Sequence, residues 1–445
     1  MNPIGLLIVL ATLTLPAPWF ASLAGQHDPI AVFSQYIGAT ALIAMGWSQL
    51  LATRLPGLEP VFGGLDRIYV LHKWLGIGAL GAVLLHDTID ADIDGIGRET
   101  ALVDLAETLG ELSLYGFLAL VIITIATFVP YHLWRWTHRL MGAFFALSAF
   151  HFAFILKPFP ISDPLGMYIL GFCAVGILAY LYTLVPFGWL QGRRAYTVSA
   201  IQRTGDALAV SLTPDGHGLR HRAGQFAFVR FDGASLGEVH PFTISSAPDS
   251  GNALRFTIKP LGDYTSRLEK GLEAGMKAQV SGPFGHFARP RGRRTRVWIA
   301  GGIGVTPFVA WAGDLGPDEP EAHLFLCARD RASAPHVDEL EQLAATKPNL
   351  HLHVIESARR RRLDADEIAG AVGVPLAQTS IAFCGPKPMR ESLQAALRAD
   401  GVPASRFAYE EFEIRSGIGL RRLASWLLAR TVPGSLRPVE AARQG

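Results

Sequence analysis

Two stretches decide how this chain must be read: LHKWLGIGALGAVLLH at residues 71–86, and WRWTHRLMGAFFALSAFH at residues 134–151. Both are apolar enough for a lipid interior, yet each carries two imidazoles, His72 and His86 in the first and His138 and His151 in the second. Ionisable groups at membrane depth are costly and usually functional. Six segments, approximately 4–24, 30–53, 66–87, 113–130, 133–156 and 163–189, supply the roughly 20 apolar residues a helix needs to cross about 30 Å of hydrocarbon. The first begins Met1-Asn2-Pro3 without the positive charge of a secretory signal, so it is expected to stay as a helix.

Composition changes near Gln191-Gly192-Arg193-Arg194. Beyond it the chain reads as an ordinary soluble α/β protein, and 445 residues are too many for one hydrophobic core. A formal net charge of +2 argues against a nucleic-acid partner. Cys173, Cys327 and Cys384 form neither a paired framework nor a CxxC site, so any iron must be held by something other than thiolates.

Orientation follows from Lys and Arg in the short loops. With six helices, Arg54, Arg67, Lys73, Arg135, Arg139, Arg193 and Arg194 fall on one side, against Arg98 and Lys157 on the other. The C-terminal half is therefore expected on the cytoplasmic side. The acidic 87–111 loop, with Asp87, Asp90, Asp92, Asp94, Glu99, Asp104, Glu107 and Glu111, is expected outside.

Imidazole can ligate haem iron without a thiolate. On one helix a 14-residue spacing rises about 21 Å and returns to nearly the same face. The third and fifth spans enter from the same side, so His72 can meet His138 at one depth and His86 can meet His151 at the other. Each pair could clamp one iron, giving two stacked bis-histidine haems. The alternative is histidines that merely bridge helices. One mismatch is visible: the 13-residue spacing of His138 and His151 sets them about 140° apart on a straight helix, so a distortion near Gly142 is needed.

These two runs resemble the ferric reductase and NADPH oxidase transmembrane family. The resemblance implies that Phe144 lies between the two haems.

From about 195 to 290, short alternating runs such as Gln225–Phe231 read as an antiparallel barrel. Within it, His240-Pro241-Phe242-Thr243-Ile244-Ser245-Ser246 gathers hydroxyls beside aromatic surface, which suits a flavin. Lys259-Pro260-Leu261-Gly262-Asp263-Tyr264-Thr265-Ser266 follows, a turn opening a helix where a pyrophosphate can meet free N–H groups. Ser281-Gly282-Pro283-Phe284-Gly285 closes the segment. From 296 the pattern becomes strand, glycine loop, helix. Gly301-Gly302-Ile303-Gly304-Val305-Thr306-Pro307 allows close backbone approach to a pyrophosphate. Further strand ends carry Arg329-Asp330 and Cys384-Gly385-Pro386-Lys387-Pro388-Met389.

In this order the motifs resemble the FAD and NAD(P)H domains of the ferredoxin–NADP reductase superfamily. That implies His240, Pro241, Phe242 and Thr243 along the flavin, with Ser245, Ser246 and Lys259 in the same binding region. Gly262, Thr265 and Ser266 would hold the flavin phosphates. Gly301, Gly302, Gly304, Thr306, Pro307, Gly385 and Pro386 would surround the nicotinamide nucleotide. Cys384 would sit where hydride leaves for the flavin, and Phe412 would cover the ring. Arg329 is the candidate for a 2′-phosphate, weakened by Asp330 beside it. The run Arg359–Arg362 reads as a solvated loop.

The fold expected is a multi-domain membrane protein: an all-α six-helix transmembrane bundle (1–192), an antiparallel β-barrel FAD domain (193–291) and an α/β parallel-sheet nucleotide-binding domain (292–415). A C-terminal extension (416–445) carries Leu420, Leu423, Ala424, Leu427 and Leu428 on one helical face, suited to a membrane surface or a protein flank. The activity expected is a multi-pass cell-membrane oxidoreductase, with cytoplasmic reductase domains. It would pass electrons from NADPH or NADH through FAD and two b-type haems to oxygen, giving superoxide, or to a ferric chelate. It requires no protein partner, though donation to a redox protein or quinone is an alternative, as is a haem-free membrane-anchored flavin reductase. A transporter would need paired broken helices or midplane carboxylates, which the spans lack.

Overall fold

The structure is a computed structural model describing residues 2–55, 57–89, 92–93, 95–125, 129, 131–185, 192–233, 235–248, 251–359 and 362–410. Phe412, Arg360, Arg361 and the helix expected within 416–445 lie outside the described residues. The chain divides into two compact units, one formed by Met1–Arg54 and Arg67–Leu184, the other by Leu55–Asp66 and the described residues from Val185 to Glu410.

The first unit is helical: α1 (Pro3–Thr14), α2 (Ala17–Leu23), α3 (Pro29–Ala52), then, beyond the α4 turn (Leu58–Phe62) of the other unit, α5 (Leu65–Thr88), α6 (Ala101–Ile125), α7 (Tyr131–His138), α8 (Met141–Phe154) and α9 (Pro164–Leu184). Helices are what an apolar solvent demands, because every backbone donor and acceptor is then satisfied internally. Among the described residues, five helical segments are long and apolar enough to cross a membrane: Pro3–Leu23, Pro29–Ala52, Leu65–Thr88, Ala101–Ile125 and Pro164–Leu184. The expected six-helix count is thus not reached. The 133–156 segment is two shorter helices, broken at Arg139–Leu140. Arg139 N–H and Leu140 N–H bond back three residues, to Trp136 at 3.3 Å and Thr137 at 3.0 Å. Such i→i+3 bonds wind the chain faster than an α-helix does, which changes the phase between His138 and His151.

The span expected at 113–130 instead starts at Ala101. Asp104, Glu107 and Glu111 belong to its first turns, while Val103 and Ala106 are buried. Charge on one face masked an amphipathic helix start as a loop. Glycines set the close crossings. A Cβ on Gly46 of α3 would meet the Phe172 carbonyl of α9 at 2.7 Å, and one on Gly176 would come within 2.9 Å of Gly46 Cα. Small residues at such contacts let helix backbones approach in lipid.

The second unit holds two sheets. β1 (Arg194–Thr204), β2 (Ala207–Pro214), β3 (Phe226–Phe231), β4 (His240–Thr243), β5 (Leu254–Ile258) and β6 (Lys277–Phe284) form one sheet in the order β4-β3-β6-β1-β2-β5. Its paired strands run antiparallel around Tyr196, Val210, Val229, Phe231, Phe256 and Val280. It is not a closed barrel as expected: between its end strands the described residues show only the isolated bridge Ile244–Phe256. α10 (Asp263–Gly271) follows β5.

β7 (Arg296–Gly301), β8 (Ala322–Ala328), β9 (Leu350–Glu356), β10 (Ser380–Cys384) and β11 (Phe407–Glu410) make a parallel sheet in the order β11-β10-β7-β8-β9. α11 (Thr306–Gly313) and α12 (Val337–Thr346) pack into a core with Trp298 and Trp311. α13 (Ala365–Val372) and α14 (Lys387–Ala399) cover Val297, Ile299 and Phe383. Central β7 is buried along its whole length, as a strand covered on both faces must be.

A polar network joins these two sheets. Arg255 Nη2 donates to Glu339 Oε1 at 2.8 Å, and His336 bonds Glu339 Oε2 at 2.7 Å and Thr257 Oγ1 at 2.7 Å. Burial alone would raise the Glu339 carboxyl, but the His336 hydrogen bond and the Arg255 guanidinium outweigh it and hold the pKa at about 2. A depressed carboxyl supports folding fully above its ordinary value near 4.5 and loses that support as pH falls towards 2. With the side chain 35% exposed, removing the charge should cost about 1 kcal/mol after allowance for screening. Glu339→Gln is therefore expected to lower the melting midpoint of tryptophan fluorescence by about 2–4 °C at pH 7. The gap from the parent should narrow as the pH is taken to 4. A pH-independent gap would show that packing, not charge, holds this joint.

Candidate functional site

In the helical unit, all four membrane histidines are held by the helix beside them. His72 Nδ1 lies 2.9 Å from the Ser48 carbonyl of α3, and His86 Nδ1 lies 3.0 Å from the Ser34 carbonyl. His151 Nδ1 reaches the Ala106 carbonyl of α6 at 2.9 Å. A carbonyl oxygen can only accept, so these three Nδ1 atoms carry the proton and each Nε2 keeps its lone pair. His138 Nδ1 has the longer contact, 3.4 Å to Thr124 Oγ1, and its ring stacks on Trp134 at 5.1 Å.

Ser34 and Ser48 repeat on α3 the spacing of His72 and His86 on antiparallel α5. This matched serine pair was legible in the sequence but is recognisable only once the two helices are seen side by side. The rings of His72 and His138 are 6.2 Å apart, centre to centre. Two imidazoles on opposite sides of one metal, each nitrogen about 2 Å from it, place their ring centres roughly 6 Å apart. His86 and His151 are near enough to interact electrostatically. A Cβ on Gly110 would meet His151 Nδ1 at 2.5 Å, and one on Gly116 would meet the Phe144 ring at 2.2 Å. Glycine on α6 thus makes room for His151 and for Phe144.

In the second unit the expected flavin residues gather around β4 and α10. His240 stacks on Tyr264 at 4.0 Å with planes 10° apart, and bonds Glu238 at 3.1 Å. Burial, then the Glu238 carboxylate, raises the Tyr264 phenol well above its usual range, and its hydroxyl donates to the Leu236 and Glu238 carbonyls. Pro241 and Phe242 are half-buried and Thr243 is buried.

Two hydroxyls expected near a cofactor are engaged internally. Ser245 Oγ donates to the Arg255 carbonyl at 3.1 Å, and Ser246 Oγ accepts from Arg255 N–H at 3.1 Å. Lys259 pairs with Asp206 at 2.7 Å. At the α10 N-terminus, Thr265 Oγ1 accepts from the Leu261 and Gly262 N–H groups, and Ser266 N–H donates to the Gly262 carbonyl. Nothing would meet a Cβ at Gly262, so the turn is open to a group approaching the helix end.

The glycine loop after β7 abuts the loop after β10. A Cβ on Gly304 would meet the Cys384 carbonyl oxygen at 2.2 Å, and one on Gly301 would meet Pro386 Cδ at 2.6 Å. Gly385 returns the contact, its Cβ position 3.0 Å from Gly301 Cα. Gly302 has φ +55 and open space above it, so this backbone corner is bare. Thr306 and Pro307 are buried in the first turn of α11. Arg329 lies just beyond the end of β8, exposed and paired with Asp330 at 3.1 Å.

Cys384 is fully buried at the end of β10. Burial, then the Glu410 carboxyl, pushes its thiol well above the ordinary range. Two acids beside this corner had no signal in the sequence. Glu410 lies opposite Cys384 in the β10–β11 register, and burial first, then Asp66 and Glu59, raises its carboxyl strongly. Glu59 of α4 accepts from Leu65 N–H and Gly285 N–H, both at 3.1 Å. A folded chain brings together acids separated by hundreds of residues, which no local pattern reports.

Because a methyl at Gly304 would strike backbone that cannot give, Gly304→Ala should cost about 2 kcal/mol and lower the melting midpoint by roughly 4–8 °C. Gly262→Ala, in open space with an extended backbone, should stay within about 0.5 kcal/mol of the parent. Equal effects of the two substitutions in thermal melts would mean that the β7 and β10 loops do not depend on this contact.

Residues 37–149 match the family described as ferric reductase like transmembrane component. Residues 191–305 match an FAD-binding domain, and residues 298–395 an oxidoreductase NAD-binding domain. A flavohemoprotein of Rhodopirellula baltica is 29% identical over 262 residues, 51% of this chain and 62% of that protein. The ferredoxin reductase component of a 3-ketosteroid-9-alpha-monooxygenase from Mycolicibacterium smegmatis is 29% identical over 225 residues, 48% of this chain and 63% of that protein. The chain thus spans about three fifths of the length of these relatives. The flavohem-like FAD/NAD binding domain of nitric oxide dioxygenase from Vibrio cholerae superposes with a TM-score of 0.44 at 21% identity, covering 49% of this chain and 98% of that one, a likeness too distant to carry weight. With a ferric-reductase-like membrane domain followed in one chain by FAD-binding and NAD-binding domains, the protein belongs to the ferric reductase and NADPH oxidase-like transmembrane oxidoreductases.

Proposed function

We propose that this chain carries electrons from NADPH or NADH on the cytoplasmic side to an acceptor across the membrane, using FAD and two b-type haems. The observation that carries this reading is the set of inward histidines whose Nδ1–H groups are spent on backbone carbonyls. A hydrogen bond from Nδ1–H to a backbone carbonyl is the usual way a protein fixes an imidazole as a metal ligand through Nε2. The 6.2 Å separation of His72 and His138 fits one iron between them. His72 and His138 would hold the haem on the cytoplasmic side of the membrane, and His86 and His151 the outer one. Phe144 lies along the helix between the two levels.

When bound, FAD takes up hydride as a pair of electrons and the haems pass them on singly. The protein's own part is to place and exclude. The bare corner at Gly301, Gly302 and Gly304 lets a dinucleotide approach the backbone, while buried Cys384 marks where the nicotinamide would face the flavin. The open turn at Gly262 and the N-terminus of α10 would take the flavin phosphates, and the stacked His240 and Tyr264 would flank the ring region. Ser245 and Ser246 would shape this end of the flavin-binding region through Arg255. The distribution of Lys and Arg in the loops supports a cytoplasmic position for the reductase domains. The acceptor is oxygen, giving superoxide, or ferric iron, which the acidic residues of 87–111 would favour by attracting cations.

Leucine at His86 or His151 is expected to remove one haem, and leucine at His72 or His138 the other, each taking the pyridine haemochrome content from two per chain to one. Unchanged content in any of the four would strike that histidine from the ligand set, and turnover with oxygen against ferric citrate would choose the acceptor. A second variant tests the other end of the path. Cys384→Ala should retain FAD yet slow flavin reduction by NAD(P)H at least about tenfold in stopped flow, through loss of nucleotide placement. Reduction at the parent rate would leave Cys384 with a packing role alone.

A further inference from the structure

The amino ends of β8 and β9 carry a cluster that electron transfer does not use. His323 and His351 are partners in the parallel β8–β9 register, with ring centres 4.6 Å apart. His353, two residues further along β9, presents the same face, and its Nε2 lies 3.2 Å from His323 Nδ1. Glu321 precedes His323 by two residues, with a carboxylate oxygen 4.0 Å from His323 Nε2. His323 is only 6% exposed, and its Nε2 is a buried atom with no hydrogen-bond partner.

Leaving a buried nitrogen unpaired costs the desolvation of that group, so proteins rarely do so without a ligand or water for it. The side-chain chemistry says which ligand. If His323 donates its Nδ1 proton to His353, its Nε2 lone pair is the free end, and it faces a carboxylate and a second imidazole. Two imidazoles and a carboxylate form a donor set for a divalent transition ion, zinc first among them, with a fourth position left for water.

We propose that Glu321, His323 and His351 bind a zinc-type divalent cation, with His353 orienting His323 from behind. The three donor atoms lie within 4.8 Å of one another. A tetrahedral ion about 2.0–2.1 Å from each holds its ligands roughly 3.4 Å apart. The required closing, at most about 1.4 Å, falls on the exposed Glu321 side chain and the half-buried His351, while buried His323 stays in place.

The position also says what such an ion would do. Parallel sheets bind their substrates outside the carboxyl ends of the strands, where Gly301 and Cys384 lie. His323 and His351 stand at the opposite end of the sheet. There an ion would tie edge strand β9 to β8, adding to their backbone hydrogen bonds and to the His323–His353 contact. Its role would be to pin the sheet edge, apart from the redox path.

The test uses the detergent-solubilised full chain, stripped with a chelator, exposed to zinc chloride, gel-filtered and assayed by plasma mass spectrometry. The Glu321→Gln and His351→Asn double variant, altered only at accessible positions, should retain one equivalent of zinc per chain less than the parent. Sites elsewhere in the chain are common to both proteins and cancel. His353→Phe should weaken binding roughly tenfold while leaving the ligands in place, as loss of an orienting partner does. Zinc should also raise the melting midpoint of the parent and not that of the double variant. Equal zinc content in parent and double variant, or a parent midpoint that zinc does not move, would overturn the proposal.

Discussion

An imidazole placed at membrane depth needs a partner for its N–H, and in this protein the partner is the backbone of a neighbouring helix. The bonds from His72 and His86 to the Ser48 and Ser34 carbonyls lock α5 against α3 in one register. The bond from His151 to the Ala106 carbonyl does the same for α8 and α6. A slip of either helix by one residue would leave polar groups unpaired where water is scarce, at a cost of several kcal/mol. Helix register, ring orientation and the free Nε2 atoms all follow from these few hydrogen bonds. Gly38 of α3 and Gly110 of α6 leave the room that the His86 and His151 rings occupy.

The second unit solves a different problem with the same economy of space. Two strand-end loops must meet without side chains between them, and Gly301, Gly304 and Gly385 let backbone rest on backbone. The same corner buries acids and a thiol, whose charged forms are disfavoured there. Neutral side chains beside a backbone corner make a surface suited to a flat, largely uncharged ring. Farther away, the Arg255–Glu339–His336 network keeps the antiparallel and parallel sheets together, so that both halves of the proposed hydride path belong to one compact unit.

Much of this was legible before any fold was known, for reasons that differ from element to element. The 14-residue spacing of His72 and His86 works on paper because α5 is one uninterrupted helix, and 14 residues nearly complete a whole number of turns. The 13-residue spacing of His138 and His151 did not work, because the chain breaks at Arg139–Leu140 and an ideal helix is the wrong ruler. Gly301–Pro307 was readable because a glycine's lack of a side chain is a local property with a local consequence. The partners of Ser245 and Ser246 were not readable for the converse reason: their hydroxyls bond to β5, a strand that becomes their neighbour only on folding.

By itself, then, the sequence determined the apolar helices, the composition step after them, the paired imidazoles and the order of the glycine and cysteine motifs. Each of these is written in residue type and spacing along one segment. Tertiary structure alone decided the helix break that rephases His151, the open rather than closed antiparallel sheet, and the pairing of Ser34 and Ser48 with the α5 histidines. It also decided the meeting of Glu59, Glu410 and Cys384, and the facing of His323 with His351. Those outcomes depend on which distant segments come into contact, and contact between distant segments is set by the packing of the whole unit, where no single stretch of chain carries the information.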